Sequence, residues 1–194
     1  MARPGRGHLL FMSVIAVIRE TDRRLTQRMA ARTGPVAHRA LSAVEECAEG
    51  TKLWCGAAVA MALSGGRRGR RAAVSGLAAL ALAQLVSNGL CKRLTGRPRP
   101  PVDWIPHDEV HDRPESSSFP SGHTAAAAAF TAAVLPAWPL AGALCALVAP
   151  VVAAERVQSG AHYPTDVVAG ALLGVASAWA VRRAPGRAPR RLRA

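Results

Sequence analysis

Two histidines, three separated cations and one carboxylate are spaced along this chain as phosphoryl transfer would require. Lys92 is followed seven residues later by Arg99-Pro100, and Arg156 by His162 and then Asp166. Between them stands Pro120-Ser121-Gly122-His123, directly before an apolar run. Lys92, Arg99 and Arg156 could neutralise a phosphate dianion and the charge that spreads over its oxygens during transfer. Ser121 and Gly122 fall at a predicted helix start, where backbone N–H groups and the positive end of the dipole favour an anion. Pro120 suits a helix start and Gly122 permits close backbone approach. His162 and Asp166 are four residues apart, so the carboxylate could hold one ring nitrogen and leave the other as a nucleophile. His123 then remains as the acid for the leaving oxygen, a role that contributes about 10²–10⁴-fold.

Each residue also has a plainer explanation. A single histidine at a membrane-helix end is more often an interfacial residue than a catalyst. Lys92, Arg99 and Arg156 could snorkel to lipid headgroups, as Arg67, Arg68, Arg70 and Arg71 are expected to do. The linkage of all these groups in one order is what favours chemistry.

The elements that must position them are apolar segments: Leu53 to Ser64, Ala73 to Cys91, Thr124 to Pro136, Leu140 to Ala154 and Val167 to Val181. A bilayer calls for roughly 20 apolar residues per helix. Several segments reach that only by extending into polar flanks, as expected where helix ends project polar groups into a site. Ala73 to Cys91 carries no charge, so it has no charged face to turn to water, which counts against a soluble helical bundle. Gly170 and Gly174 lie at GxxxG spacing, a weak signal for close helix packing. Pro150 is expected to be tolerated as a kink within its helix. Arg93 to Pro120 and Glu155 to Thr165 are polar loops, and both fall on one side of the membrane when crossings are counted.

Composition agrees. Half of the 194 residues are hydrophobic, yet the net charge is +13 and aromatic residues make up only 4%. Arginine clusters lie between Ala/Leu/Val runs, without aromatic side chains to stack on bases, so nucleic acid is not an expected partner. Cys47, Cys55, Cys91 and Cys145 show no paired spacing and are expected to be buried, unpaired thiols. Leu9 to Ile18 resembles a signal-peptide core but has no small-residue cleavage site after it, and is read as part of the mature protein. In the first fifty residues, Arg19, Asp22, Arg23, Arg24, Arg28 and Arg32 alternate with Ile18, Leu25, Met29 and Ala30, as in helices lying along an interface.

The pattern Lys-x6-Arg-Pro, Pro-Ser-Gly-His and Arg-x5-His-x3-Asp resembles the three-part signature of the type 2 phosphatidic acid phosphatase family. That family includes lipid phosphate phosphatases, polyprenyl diphosphate phosphatases, nonspecific acid phosphatases and vanadium haloperoxidases. The resemblance spans Lys92 to Asp166 and the following helix. It implies His162 as nucleophile, His123 as general acid and Asp166 as partner of His162. It implies Lys92, Arg99, Ser121, Gly122 and Arg156 as phosphate ligands, with neither metal nor cofactor. The family usually has Ser immediately before the second arginine; this chain has Glu155, whose carboxylate would repel a phosphate it faced, so Glu155 is expected to point away, to pair with a cation or to mark altered headgroup selectivity. Arg97-Pro98 is a second Arg-Pro pair, and only the family spacing picks Arg99.

The expected architecture is an all-α, multi-pass transmembrane bundle of about five membrane helices. Residues 1–51 form an interfacial, amphipathic N-terminal region, 52–181 the membrane-embedded domain, and 182–194 a basic, disordered tail. A lipid phosphate is the expected substrate and membrane lipids the surroundings. The chief rivals are a soluble acid phosphatase or haloperoxidase of the same family and a non-catalytic binder of anionic lipid, which would tolerate loss of His162. His107 and His111 invite a zinc reading, but Asp108 stands where the zinc-protease pattern needs Glu. Four arginines in Gly65 to Arg71 and six from Arg182 onward put those segments in the cytoplasm and the catalytic loops outside.

Overall fold

The computed structural model describes residues 6–32, 41, 43, 51–105 and 115–184. Cys47, the His107 to His111 stretch and the tail beyond residue 184 lie outside them. Among the described residues the main helices are α1 (Arg6–Arg32), α2 (Lys52–Ser64), α3 (Gly66–Thr95), α4 (Gly122–Val134), α5 (Pro139–Gln158) and α6 (Pro164–Arg183). A single 3₁₀ turn, Val102–Trp104, interrupts the loop after α3. Among the described residues there is no strand.

Local chemistry sets the helix ends. Gly96 takes a left-handed conformation, φ 54°, and closes α3. Ser121 caps α4, its hydroxyl accepting from the Thr124 N–H at 3.4 Å. Pro139 and Pro164 occupy the first positions of α5 and α6, where a missing N–H costs nothing. The Asp166 carboxylate reaches back to the Tyr163 N–H at 2.9 Å, which fixes the start of α6. Helix α5 runs through Pro150 and on to Gln158, so Glu155 and Arg156 lie in its last turn and not in a loop.

Among the described residues three helices, α3, α5 and α6, are long and apolar enough to cross a membrane. The segments do lengthen as expected: α3 reaches 30 residues by taking in Arg67 to Arg71 at one end and Lys92 to Thr95 at the other. Helix α4 does not lengthen. It stays at 13 residues, with Ala125, Ala127, Ala129 and Phe130 wholly buried, because it is enclosed by α3, α5 and α6 and need not match a lipid thickness. Trp54 of α2 meets Phe130 at a ring distance of 5.3 Å in the core that joins α2, α3, α4 and α5. A second, alanine-built cluster of Ala79, Ala83, Ala125, Ala129 and Ala178 joins α3, α4 and α6.

The GxxxG spacing has a physical use. A Cβ on Gly170 would lie 2.4 Å from the Ser121 carbonyl oxygen, and one on Gly174 would lie 2.4 Å from that of Ala125. Helices α4 and α6 therefore touch backbone to backbone, a contact that only glycine allows.

Two expectations change. Cys145 is buried, but Cys55 is exposed and Cys91 partly so, because an apolar run also supplies the outer face of its helix. The N-terminal region is not a set of surface helices alone: α1 is a single 27-residue helix whose Asp22, Thr26 and Ala30 are buried. Leu10, Phe11, Met12, Val14 and Val17 on its first half remain exposed.

Candidate active site

The site forms where the ends of α3, α5 and the starts of α4 and α6 meet. One backbone bond draws the last two together: the Ser121 N–H donates to the Asp166 carbonyl at 3.0 Å. His162 is held from the other side, its N–H donating to the Arg156 carbonyl at 2.9 Å, so nucleophile candidate and third cation share one tight turn after α5.

The His162 side chain is 3% exposed. Its Nδ1 lies 2.6 Å from the Ser118 carbonyl oxygen and 3.8 Å from Asp166 Oδ2. The sequence pattern predicts a direct carboxylate contact; in the structure a backbone carbonyl makes the short bond and the carboxylate stands behind it. Either acceptor requires the proton on Nδ1, which leaves the Nε2 lone pair for attack. Burial pushes the His162 pKa below its ordinary value, Asp166 opposes that, and Arg99 adds to it. A neutral, nucleophilic ring near pH 7 is the result.

Arg99 donates from Nη1 to the Ala161 carbonyl at 2.7 Å and from Nε to the Ser116 carbonyl at 3.2 Å, which places its charge beside His162. Lys92, near the end of α3, has Arg99 and Asp166 as electrostatic neighbours. Arg156 is buried, and its Nε donates to the Glu155 carboxylate. Of the three fates open to Glu155, the structure selects pairing with a cation.

Ser121 is fully buried, with its hydroxyl engaged by Thr124 Oγ1 at 3.0 Å as well as by the Thr124 N–H. It serves α4 as a cap, so the first turn of α4 presents an anion with backbone N–H groups more readily than with this hydroxyl. Gly122 is fitted against α3: a Cβ there would lie 2.9 Å from Asn88 Oδ1. His123 follows in the same turn and is partly exposed. The structure thus gathers Lys92, Arg99, Gly122, His123, Arg156, His162 and Asp166 at one end of the bundle.

Sequence reasoning missed three parts. Arg97, passed over as a ligand, donates to Asp166 Oδ1 at 2.6 Å and to Asp22 Oδ2 at 2.7 Å, and its guanidinium lies 4.2 Å over the Tyr163 ring. The run Ser116-Ser117-Ser118 clasps the arginine loop: Ser117 Oγ accepts from the Arg97 N–H at 3.0 Å, the Ser118 N–H donates to the Arg97 carbonyl at 2.9 Å, and the Ser118 hydroxyl donates to the Pro98 carbonyl at 3.1 Å. The serine triplet beside two Arg-Pro pairs was the available signal. Third, residues Leu85–Cys91 of α3 are π-helical, with the Lys92 N–H bonded to the Ser87 carbonyl five residues back. No feature of the sequence announced that.

Comparison with known proteins gives the fold and the family. Lipid A 1-phosphatases from Rhizobium etli and Rhizobium johnstonii are each 38% identical over 99 residues. That alignment takes in 44% of this chain but only 38% and 36% of theirs, so the chain spans well under half the length of the curated relatives it matches. The crystal structure of a transmembrane PAP2-type phosphatidylglycerolphosphate phosphatase from Bacillus subtilis superposes with a TM-score of 0.66 at 21% identity, covering 90% of this chain and 92% of that one. Aquifex aeolicus LpxE gives 0.66 at 20% identity, covering 83% and 94%. At such identity the likeness shows a shared fold. The model of the PAP2 superfamily matches residues 72–190, which contain Lys92, Arg99, the Pro-Ser-Gly-His turn, Arg156, His162 and Asp166, and the chain belongs to that superfamily.

Proposed function

We propose that this protein is an integral membrane phosphatase that hydrolyses a lipid phosphomonoester or diphosphate through a phosphohistidine on His162, without a metal ion. The observation that carries it is the buried His162 ring, bonded through Nδ1 to the Ser118 carbonyl and flanked by Arg99 and Asp166. Nε2 attacks phosphorus as the bond to the lipid oxygen breaks, and His123 gives its proton to that oxygen. Water then attacks phosphorus, losing a proton to His123, as the bond from phosphorus to Nε2 breaks, and free phosphate and neutral His162 are released. Lys92, Arg99, Arg156 and the N–H groups that open α4 bind the phosphoryl oxygens and supply the charge stabilisation that a metal provides in other phosphatases.

The substrate is a membrane lipid whose phosphate reaches the bundle end: polyprenyl diphosphate, phosphatidic acid, phosphatidylglycerophosphate, a polyprenyl-linked sugar phosphate or the 1-phosphate of a lipid A. Names of the related proteins support the last and the third of these. The first half of α1, with its exposed Leu10, Phe11, Met12 and Val14, lies along the lipid interface beside the catalytic loops. Residues 52–181 make up the embedded domain, and the basic tail from Arg182 stays in the cytoplasm, opposite an extracytoplasmic site. The test is phosphate release from this panel by the purified protein in detergent with chelator present, beside the His162→Ala variant. Absence of release from every lipid, equal release by the variant, or a strict need for added divalent metal would each refute the proposal.

A further inference from the structure

We propose that Asp22 of α1 is a positioning residue of this site: through Arg97 it fixes Asp166 and with it the charge behind His162. The proposal rests on His162 being the nucleophile. Asp22 lies outside the family-matched segment 72–190, yet its side chain is 1% exposed and both oxygens are engaged. Oδ1 accepts from the Thr165 N–H at 3.0 Å, and Oδ2 accepts from the Thr165 hydroxyl at 2.6 Å and from Arg97 Nη2 at 2.7 Å. These bonds join residues 143 and 75 positions apart in the chain.

Arg97 is the middle link. Its Nη1 donates to Asp166 Oδ1 at 2.6 Å and to Thr165 Oγ1 at 2.8 Å, so one planar fork spans both carboxylates. With Oδ1 held by Arg97 and Oδ2 by the Tyr163 N–H, the Asp166 carboxylate cannot turn without breaking a bond, and that sets the 3.8 Å between Oδ2 and His162 Nδ1. Charge matters as well as geometry. Two carboxylates around one guanidinium leave one net negative charge behind His162, where the phosphorylated ring, protonated on Nδ1, is a cation. Without Asp22, Arg97 would cancel Asp166 alone, and that stabilisation would be lost.

A buried ion pair could serve only to dock α1, and the test separates the two. Asp22→Asn keeps the size of the side chain and an oxygen for the Thr165 N–H while removing the charge. The full chain is purified in detergent, its folding checked by thermal unfolding. Steady-state kinetics are then run on the best lipid of the panel, beside binding of vanadate and of inorganic phosphate. Vanadate bonds to the ring nitrogen; phosphate is held by the cations and the N–H groups that open α4, with no bond to the ring. Positioning predicts that kcat falls about tenfold with KM nearly unchanged, within the coupling seen inside one hydrogen-bond network. Vanadate binding should weaken by a similar factor, and phosphate binding should not change. In an Arg97→Gln background the same substitution should add little further loss. Thr165→Val, which removes a hydroxyl and no charge, should lower kcat in the same direction by less, and it decides the matter should Asp22→Asn fail to fold. Unchanged kcat in the folded variants, an equal loss in both backgrounds, or vanadate and phosphate affinity falling together would reduce Asp22 to a dock for α1. A wild-type protein that binds neither anion would instead sink the phosphatase proposal itself.

Discussion

His162 and Ser118, 44 residues apart, are joined by a 2.6 Å contact between Nδ1 and a backbone carbonyl oxygen. A carbonyl can only accept, so the tautomer of His162 is set by the main chain and is indifferent to the protonation of any neighbour. The nearest carboxylate, at 3.8 Å, acts on the ring through its charge.

The first prediction concerns pH. Burial lowers the His162 pKa below its ordinary 6.5. With the neutral ring as the proposed nucleophile, kcat/KM should hold as pH falls through 6.5 and decline only at a lower value. Stability follows the same sign: the unfolded chain takes up this proton at higher pH than the folded one, so folding weakens as pH drops below 6.5 towards the folded value. A pH–rate profile whose acid limb lies at or above 6.5 would contradict the burial argument.

The two histidines should separate kinetically. His162→Ala should form no phosphoenzyme with any substrate. His123→Ala loses the acid for a poor lipid leaving group, a loss of about 10²–10⁴-fold. On an aryl phosphate, if accepted, it should still phosphorylate His162 and then hydrolyse the adduct slowly. Rapid-quench release of nitrophenol, alongside detection of acid-labile, base-stable phosphohistidine, reads both steps. Phosphoenzyme in the His162→Ala protein would move the nucleophile to another residue.

If Arg156 binds phosphate as proposed, its bond to Glu155 competes with that binding. Glu155→Gln keeps an acceptor for the guanidinium but removes the charge, so inorganic phosphate should bind about tenfold tighter, the scale of one redirected charge-assisted hydrogen bond. Weaker binding would show that the carboxylate instead aims Arg156 at the phosphate. Competitive inhibition by phosphate measures either result.

Gly170→Ala puts a methyl group 2.4 Å from the Ser121 carbonyl oxygen, whereas Gly56→Ala meets nothing within 4 Å. Overpacking of this kind costs about 1–3 kcal/mol. The first variant should melt lower in detergent and lose activity, because the Ser121–Asp166 bond would stretch as α4 and α6 part. Equal melting of the two variants would show that this contact yields.

Topology has a direct test. In a background without the native cysteines, a cysteine placed near Glu109 or Gly160 should react with an impermeant reagent on intact cells, and one near Arg187 should not. Labelling of the Arg187 position from outside would invert the orientation.

Much of this site was legible because its parts sit at helix ends, where sequence marks itself. Prolines, a capping serine and a glycine bracket α4 and α6, and their fixed spacing carries His123, His162 and Asp166. The apolar runs were legible too, although α4 reads like a membrane span and turns out to be an enclosed helix. Hydropathy is the same for lipid and for protein surroundings, so only packing could tell them apart. Asp22 and Arg97 were not legible. A carboxylate in a basic helix looks like surface charge until a partner 75 residues away buries it. The Ser118 carbonyl belongs to the main chain, and no side-chain pattern encodes it.

The π-helical stretch Leu85–Cys91 makes the length of α3 a quantised variable. A π turn holds one residue more than an α turn, and each residue advances an α-helix by about 100°. Deleting a single residue from this stretch would let the helix relax to regular α form without shifting anything before it. Numbering and composition would barely change, and every apolar residue before the deletion would keep its neighbours. The extra residue is therefore what aligns two registers, that of the packed bundle and that of the groups beyond Cys91. Small insertions or deletions here should be rarer among working relatives than in the loops, and those that occur should arrive in compensated pairs.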